Sequence, residues 1–210
     1  RMKMENREIK LYLLRHGETI WNVQKKFQGQ MNSPLTENGI EKLKDTAKEL
    51  MNIDFQGVYT SQMRRTIESA KIILEKNIKY LKEPVKINNM KEFNEIYFGI
   101  WQGMTYEEIE GEYPEEYDNY FNNPSKYEAW IIGGEDLDEG LERFLNGIER
   151  IVSFEEMQYG SGKILVVTHG TVLELFMNHI NHRKMDDLEE RKLIGNGEYK
   201  IFSYNERRLL

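Results

Sequence analysis

The chain has no cysteine. That excludes disulfides and thiolate metal sites, and it removes the cysteine nucleophile as a route to phosphoryl or acyl chemistry. No apolar run approaches the length needed to cross a bilayer and no signal-peptide pattern opens the chain, so no membrane partner is expected and a cytoplasmic location is the default. Positive charge is in deficit: 29 Lys and Arg against 36 Asp and Glu leave a formal charge of -7 and a pI near 5.3. Such a balance offers no overall attraction to nucleic acid, and a local cationic pocket stands out against it. No Pro/Gly/Ser-rich linker, repeat or low-complexity tract interrupts the 210 residues. Residues 2–210 therefore read as a single domain large enough for a substantial core, with Arg1 ahead of Met2 set aside as a remnant.

What is present is organised around Leu11-Tyr12-Leu13-Leu14-Arg15-His16-Gly17-Glu18-Thr19. The apolar run reads as a buried parallel strand, Ile9 to Leu14, because a strand covered on both faces needs no polar alternation. Thr36 and Glu37 open an amphipathic helix carried by Ile40, Leu43, Ala47 and Leu50. Gly57 to Thr60 reads as a second strand, Ser61 as the start of a helix to Ile73 or Leu74, and Val85 to Ile87 as a third strand. Leu137 to Val152 carries the stripe of a long helix. Lys163 to Thr168 is another buried strand, followed by a helix over Thr171 to Ile180 and a last strand over Tyr199 to Tyr204. Strands alternating with helices predict an α/β fold. Between Met104 and Glu135 the character changes. Tyr106, Tyr113, Tyr117, Tyr120, Phe121, Tyr127 and Trp130 stand there among acids, with Lys126 the only base. Two readings of this insertion, 104–135, stay open: a lid over the strand ends, or a solvated acidic face whose aromatics pack on the core.

Ligands of open α/β sheets bind at the carboxyl ends of the strands. A lone histidine there is ordinarily a satisfied core residue. Here two of only 4 histidines, His16 and His169, each end an apolar strand and precede a glycine. Coincidence explains that poorly. If both strands are central and parallel, the imidazoles face one crevice within reach of Arg15 and Arg65. Two guanidinium forks beside two imidazoles match the oxygens of a phosphoryl group. A neutral histidine nitrogen attacks phosphorus without first losing a proton, and Gly17 lets the backbone approach and orient the His16 ring. Glu95, in the aromatic loop Glu92 to Gly103, is the leading general acid because desolvation raises a carboxyl pKa. Glu18 competes with it, and Glu92 more weakly.

Other motifs carry less. Gly160-Ser161-Gly162-Lys163 resembles part of a P-loop but precedes its strand instead of linking strand to helix. His179 and His182 lie near a helix end with no third ligand in view, so no metal site is expected. Ser61 and Ser33 have no adjacent histidine to activate them.

The ordered set Arg15-His16-Gly17-Glu18-Thr19, Trp21-Asn22, Gln28-Gly29, Pro34-Leu35-Thr36, Gly39, Ser61 with Arg65, Glu95 ahead of Phe98-Gly99 and Trp101, Gly103, Gly133-Gly134-Glu135 and Thr168-His169-Gly170 belongs to a likeness that covers Ile9 to Tyr204. It resembles the signature of the histidine phosphatase superfamily, the phosphoglycerate mutase-like proteins. The resemblance implies a three-layer α/β/α sandwich with a mainly parallel sheet, and a phosphatase of histidine acid phosphatase type. It implies that His16 is the residue phosphorylated, that Arg15, Arg65 and His169 complete the phosphate pocket, and that Glu95 donates and accepts the proton. Gly17, Glu18, Thr19, Asn22, Gln28, Gly29 and Gly170 would lie near the phosphate or the substrate, a small phosphate ester. No metal or organic cofactor is implied.

The chain also departs from that pattern. Gln62 and Asn32 stand where many members carry Asp, Asp136 where Ser is usual, and Glu174 where a basic residue often follows the second histidine. Asp136 and Glu174 add negative charge beyond the core pocket, which counts against a substrate with a second phosphate. The alternative function is a phosphoglycerate mutase, which hands the same phosphoryl group back to its substrate. Its bisphosphorylated intermediate calls for extra cations, and the 104–135 insertion brings only Lys126. A binding module without catalysis is disfavoured because every catalytic position is filled. The aromatic insertion predicts a monophosphate whose remainder is apolar, aromatic or neutral.

Overall fold

A computed structural model describes residues 8–187, 194–205 and 208–209. The outer ends of the expected 2–210 domain, residues 2–7 and 210, lie outside these. The first strand, β1 (Glu8–Arg15), sends Leu11 and Leu13 into one hydrophobic core and Tyr12 and Leu14 into another. Its neighbour, Gly162–Thr168, divides the same way, with Ile164 and Val166 on one side and Leu165 and Val167 on the other. Each strand is apolar without interruption because each face carries a layer of helices.

The other strands are β2 (Gly57–Thr60), β3 (Ile87–Asn89), β5 (Tyr199–Asn205) and β6 (Arg208–Leu209), with Gly162–Thr168 as β4. Their order is β3-β2-β4-β1-β5-β6. The first four are parallel, and β5 and β6 add an antiparallel edge. Helices α2 (Glu37–Glu49) and α3 (Arg64–Leu74) cover one face through Leu43, Ala47, Ala70 and Ile73. Helices α7 (Leu137–Tyr159) and α8 (Gly170–Ile180) cover the other through Phe144, Ile148, Leu173 and Phe176. This is the three-layer α/β/α sandwich expected, with a mainly parallel sheet.

Local differences have local causes. The helix after β2 starts at Arg64 rather than Ser61, because Ser61 Oγ accepts the Met63 amide at 3.0 Å and so holds a turn ahead of it. The third strand falls at Ile87–Asn89 rather than Val85 to Ile87. Asn88 and Asn89 disfavour a strand by propensity, yet Ile87 pairs with Val58 and Thr60 Oγ1 donates to Asn89 Oδ1 at 2.7 Å. Two short helices, α1 (Ile20–Val23) and α4 (Ile78–Lys82), are too brief to show a period. Helix α7 runs on past Val152 to Tyr159.

The 104–135 insertion folds as α5 (Tyr106–Glu112), α6 (Pro114–Asn122) and two 3-10 turns. Its rings gather on Phe27, whose centroid lies 5.1 Å from Tyr106, 5.5 Å from Tyr120 and 6.2 Å from Phe121. Trp101 is fully buried against Tyr113, Tyr120 and Tyr127, whereas Trp130 is 74% exposed. No helix among the described residues is long and apolar enough to cross a membrane. Leu13 is fully enclosed at the centre of the sheet, so Leu13→Ala is expected to cost about 2–5 kcal/mol through lost burial and the cavity left behind. Denaturant unfolding measures this, and a loss well under ~1 kcal/mol would contradict the packing described.

Candidate active site

Three neighbouring strands end side by side. Arg15 on β1 pairs in register with Thr168 on β4, and the His16 amide donates to the Thr168 carbonyl at 3.0 Å. The residues just beyond therefore meet: the rings of His16 and His169 lie 5.3 Å apart, edge to face. On the other side of β4 the Ser61 amide donates to Val167 O at 3.2 Å. That alignment brings Ser61 Oγ to 2.7 Å from His169 Nε2. Ser61 does have a histidine beside it, contrary to expectation, because the two are 108 residues apart in sequence. Ser61 is itself fully buried and already accepts the Met63 amide, so it orients His169 instead of presenting a nucleophile.

The His16 ring has a defined protonation state. Its Nδ1 lies 2.7 Å from the Gly17 carbonyl oxygen. A carbonyl only accepts, so Nδ1 carries the proton and the lone pair sits on Nε2. Burial, reinforced by Arg65 and Arg15, holds the His16 pKa well below its ordinary value of 6.5. The same causes, with His16 itself and Arg143 added, depress His169. Both rings are neutral at neutral pH.

Arg15 and Arg65 flank them without a carboxylate. Among the described residues neither makes a salt bridge. Arg65 is 1% exposed and is held by carbonyls: Nη2 donates to Gly29 O at 2.6 Å, and Nη1 to Met31 O and, at 3.2 Å, to Asn32 Oδ1. Gly29 has φ +52, and a Cβ there would run into Gln102, so glycine is required where the chain turns to meet Arg65. Arg15 Nη1 donates to Ile194 O at 3.0 Å, and its guanidinium lies against the start of α8, where a Cβ on Gly170 would fall 3.0 Å from Cζ. Burial lowers the Arg65 pKa to about 10, which leaves it protonated at neutral pH. The Nε atoms of both arginines and Nδ1 of His169 are buried without a partner. A buried Arg65 and a half-buried Arg15 with no ion-pair partner among the described residues, beside these orphaned atoms, are an arrangement that can receive an oxyanion.

Glu95 faces the same pocket. Oε1 accepts from the amides of Ile96 at 2.9 Å and Val172 at 3.2 Å, and Oε2 from that of Thr171 at 3.0 Å. The carboxylate thus caps the positive end of α8, which lacks a side-chain cap of its own. Burial outweighs these amides and both arginines, and the Glu95 pKa is raised. Asn22 also lines the pocket. Its Oδ1 accepts from the Thr19 amide at 3.0 Å, the Thr19 hydroxyl at 3.0 Å and Asn196 Nδ2 at 3.3 Å, which leaves the Asn22 amide nitrogen as the free donor.

The pocket has a volume of about 230 Å³, and Gln28, Gly29, Gly170 and Thr171 complete its polar wall. Phe27, Phe98, Tyr106, Tyr120, Phe121 and Leu175 form an aromatic and apolar side, with Lys26, Glu174 and Asn178 also exposed to it. Gly17, Glu18 and Thr19 do not line it. The Gly17 amide donates to Ser69 Oγ, Glu18 accepts from the Thr36 hydroxyl at 2.7 Å at the start of α2, and Thr19 caps α1. Sequence reasoning missed Asn196 and the pairing of Tyr120 with Thr171, whose hydroxyls lie 2.9 Å apart, because no local pattern links positions so distant. Among the described residues no group of three or more His, Cys, Asp or Glu is placed to hold a metal ion.

Fold and site together define an α/β protein whose strand ends bring two neutral histidines between two arginines. The model of the histidine phosphatase superfamily (branch 1) matches residues 11–209, and the chain belongs to that family. Phosphoserine phosphatase 1 of Hydrogenobacter thermophilus is 32% identical over 162 residues, 77% of this chain and 71% of that protein. The 2,3-bisphosphoglycerate-dependent phosphoglycerate mutase of Methanococcus vannielii is 27% identical over 222 residues, covering 95% of this chain and 92% of that one. Among solved structures, Bacillus stearothermophilus YhfR superposes with a TM-score of 0.84 at 29% identity, over 96% of this chain and 94% of that one. Phosphatases and phosphoglycerate mutases both occur among the relatives, and phosphatase is the favoured reading.

The buried neutral histidines also set a pH dependence of stability. In the unfolded chain they protonate below about 6.5, whereas in the folded chain they do so only at lower pH. The unfolded state then binds more protons, so stability falls as pH drops below about 6.5. Glu95, raised above 4.5, has the opposite sign and erodes stability as pH rises past that value. His169→Gln is expected to flatten the fall between about pH 6.5 and 5 in thermal melts, and a curve parallel to that of the wild type would argue against a neutral His169.

Proposed function

We propose that the chain hydrolyses phosphate monoesters through a phosphohistidine on His16. The observation that carries this is the His16 Nδ1–Gly17 O hydrogen bond, which leaves the Nε2 lone pair free beside two cations that have no ion-pair partner. The phosphoryl oxygens are held by Arg15, Arg65, the Asn22 amide and His169, where a Ser61 hydroxyl proton given to Nε2 puts the donor on Nδ1. His16 Nε2 attacks phosphorus in line as the bond to the leaving oxygen breaks, and protonated Glu95 gives that oxygen its proton. Glu95 Oε2 accepts one amide where Oε1 accepts two, so Oε2 is the oxygen with room for the proton. Arrival of a dianion raises the Glu95 pKa further, which couples substrate binding to arming the acid. In the second half, Glu95 as carboxylate takes a proton from water, the water oxygen attacks phosphorus, and the bond to Nε2 breaks. Inorganic phosphate, neutral His16 and protonated Glu95 result. In this sense the enzyme is of histidine acid phosphatase type.

The aromatic side of the pocket supports a monophosphate with an apolar, aromatic or neutral remainder. Its lining cations are Arg15, Arg65 and Lys26, and Glu95 and Glu174 are lining carboxylates, an unfavourable setting for a second phosphate. That disfavours the mutase alternative. Residues 104–135 act as a lid on one domain, a reading supported by Tyr106, Tyr120 and Phe121 of that insertion, which form part of the wall. A cytoplasmic location is part of the same proposal, in keeping with a chain that carries no cysteine.

His16→Ala is expected to lower turnover by about 10³-fold or more, and full turnover in that variant would sink the assignment. A screen over a metabolite panel, run beside a mutase assay with and without bisphosphoglycerate, separates the two activities. Release of phosphate from monoesters supports hydrolysis, whereas activity confined to phosphoglycerate interconversion overturns it. The rate is expected to fall on the acid side as His16 protonates below 6.5, and on the alkaline side as Glu95 ionises above 4.5. Glu95→Gln should remove the alkaline limb; a limb that survives the change belongs to another group.

A further inference from the structure

Glu95 lies on a loop with little regular structure of its own, between the 3-10 turns Lys91–Phe93 and Gly99–Trp101. A general acid there needs something to hold its backbone, since misplacement by about 1 Å can cost 10²-fold in rate. The hold comes from α7. Arg143 Nη1 donates to the carbonyls of Lys91 at 3.2 Å, Glu92 at 3.0 Å and Asn94 at 2.8 Å, and Nη2 lies 3.4 Å from that of Glu95 itself. The rest of the guanidinium is spent on Glu135, with Nε to Oε1 at 2.8 Å and Nη2 to Oε2 at 2.9 Å. Glu135 in turn grips the loop beyond Glu95. Its Oε2 accepts the Tyr97 amide at 3.1 Å, and its own amide donates to the Tyr97 carbonyl at 2.7 Å. One ion pair therefore closes around both flanks of the acid. With the two side chains only 21% and 17% exposed, water does little to loosen it.

We propose that Arg143, braced by Glu135, is a positioning residue for Glu95: the fork gathers the carbonyls of residues 91–95 and sets the height at which the acid meets the leaving oxygen. It acts through backbone placement and touches no reacting atom. Neither a lysine nor a neutral side chain reproduces it, because the site needs a planar group that donates to Glu135 and to several carbonyls at once. The proposal rests on Glu95 serving as general acid.

The test compares esters with good and poor leaving groups. An aryl ester such as p-nitrophenyl phosphate departs with little protonation, whereas a simple alkyl phosphate needs the acid. Arg143→Lys and Arg143→Ala are expected to slow the alkyl ester by about 10–100-fold while slowing the nitrophenyl ester only a few-fold, with Lys the milder. Glu135→Gln, which keeps the Tyr97 contact, should show the same selectivity more weakly and serves if the Arg143 variants fail to fold. Loss of folded protein alone slows both esters equally, and that result overturns the proposal. Glu95→Gln is run alongside. If it is selective and the Arg143 and Glu135 variants are not, the positioning role fails while the acid stands. If Glu95→Gln is itself unselective, the reading of Glu95 fails first.

Discussion

The site depends on the register between β1 and β4. Arg15 opposite Thr168 brings two histidines from distant parts of the chain to 5.3 Å, and the Ser61 amide, bonded to Val167 at the end of β2, adds the hydroxyl that orients one of them. Parallel pairing sends all three strand ends to one rim. A slip of one residue would turn every side chain of the strand to the opposite core, exchanging Leu11 and Leu13 for Tyr12 and Leu14. The packing that stabilises the sheet is thus the same constraint that aligns the histidines and arginines of the pocket.

Electrostatics supplies the second half of the account. Two guanidinium groups are taken from water and given carbonyl oxygens, from Gly29, Met31 and Ile194, in place of a carboxylate. Carbonyl dipoles offset part of the desolvation cost and leave the charge unneutralised. Glu95 is the carboxyl nearest both cations, and burial raises its pKa against their pull. In a chain with a net charge of -7, this concentration of unbalanced positive charge gives the pocket its chemical direction. The neutral, correctly tautomeric His16 belongs to the same setting, since burial, reinforced by the arginines, keeps it unprotonated and Gly17 keeps the proton on Nδ1.

Much of this was legible in the sequence where two signals coincided. The run Leu11 to Leu14 reads as a doubly covered strand because both of its faces are apolar, and the repeated His-Gly after such strands points to one crevice. Strand β3 lies two residues beyond its apolar run, because its pairing depends on Asn88 and Asn89, whose partners lie on β2 and leave no local pattern. Ser61 has no histidine near it in sequence, and the sheet supplies that proximity through space. Glu18, Gly17 and Thr19 belong to the same motif as His16, yet they turn inward to anchor α1, α2 and α3, so adjacency in a motif did not mean adjacency to the pocket. Asn22 and Asn196 show the converse: Asn196 supplies one of the three hydrogen bonds that Asn22 Oδ1 accepts, from 174 residues away in sequence.

The most direct measurement is the position of the phosphoryl group on the enzyme during turnover. Quenching the reaction at alkaline pH preserves a phosphoramidate, and phosphorus NMR with peptide mapping locates it. The account predicts phosphate on His16 and on its Nε2, since Nδ1 is committed to Gly17. Phosphate on Nδ1, on a different residue, or absent throughout steady turnover of a monoester would contradict it.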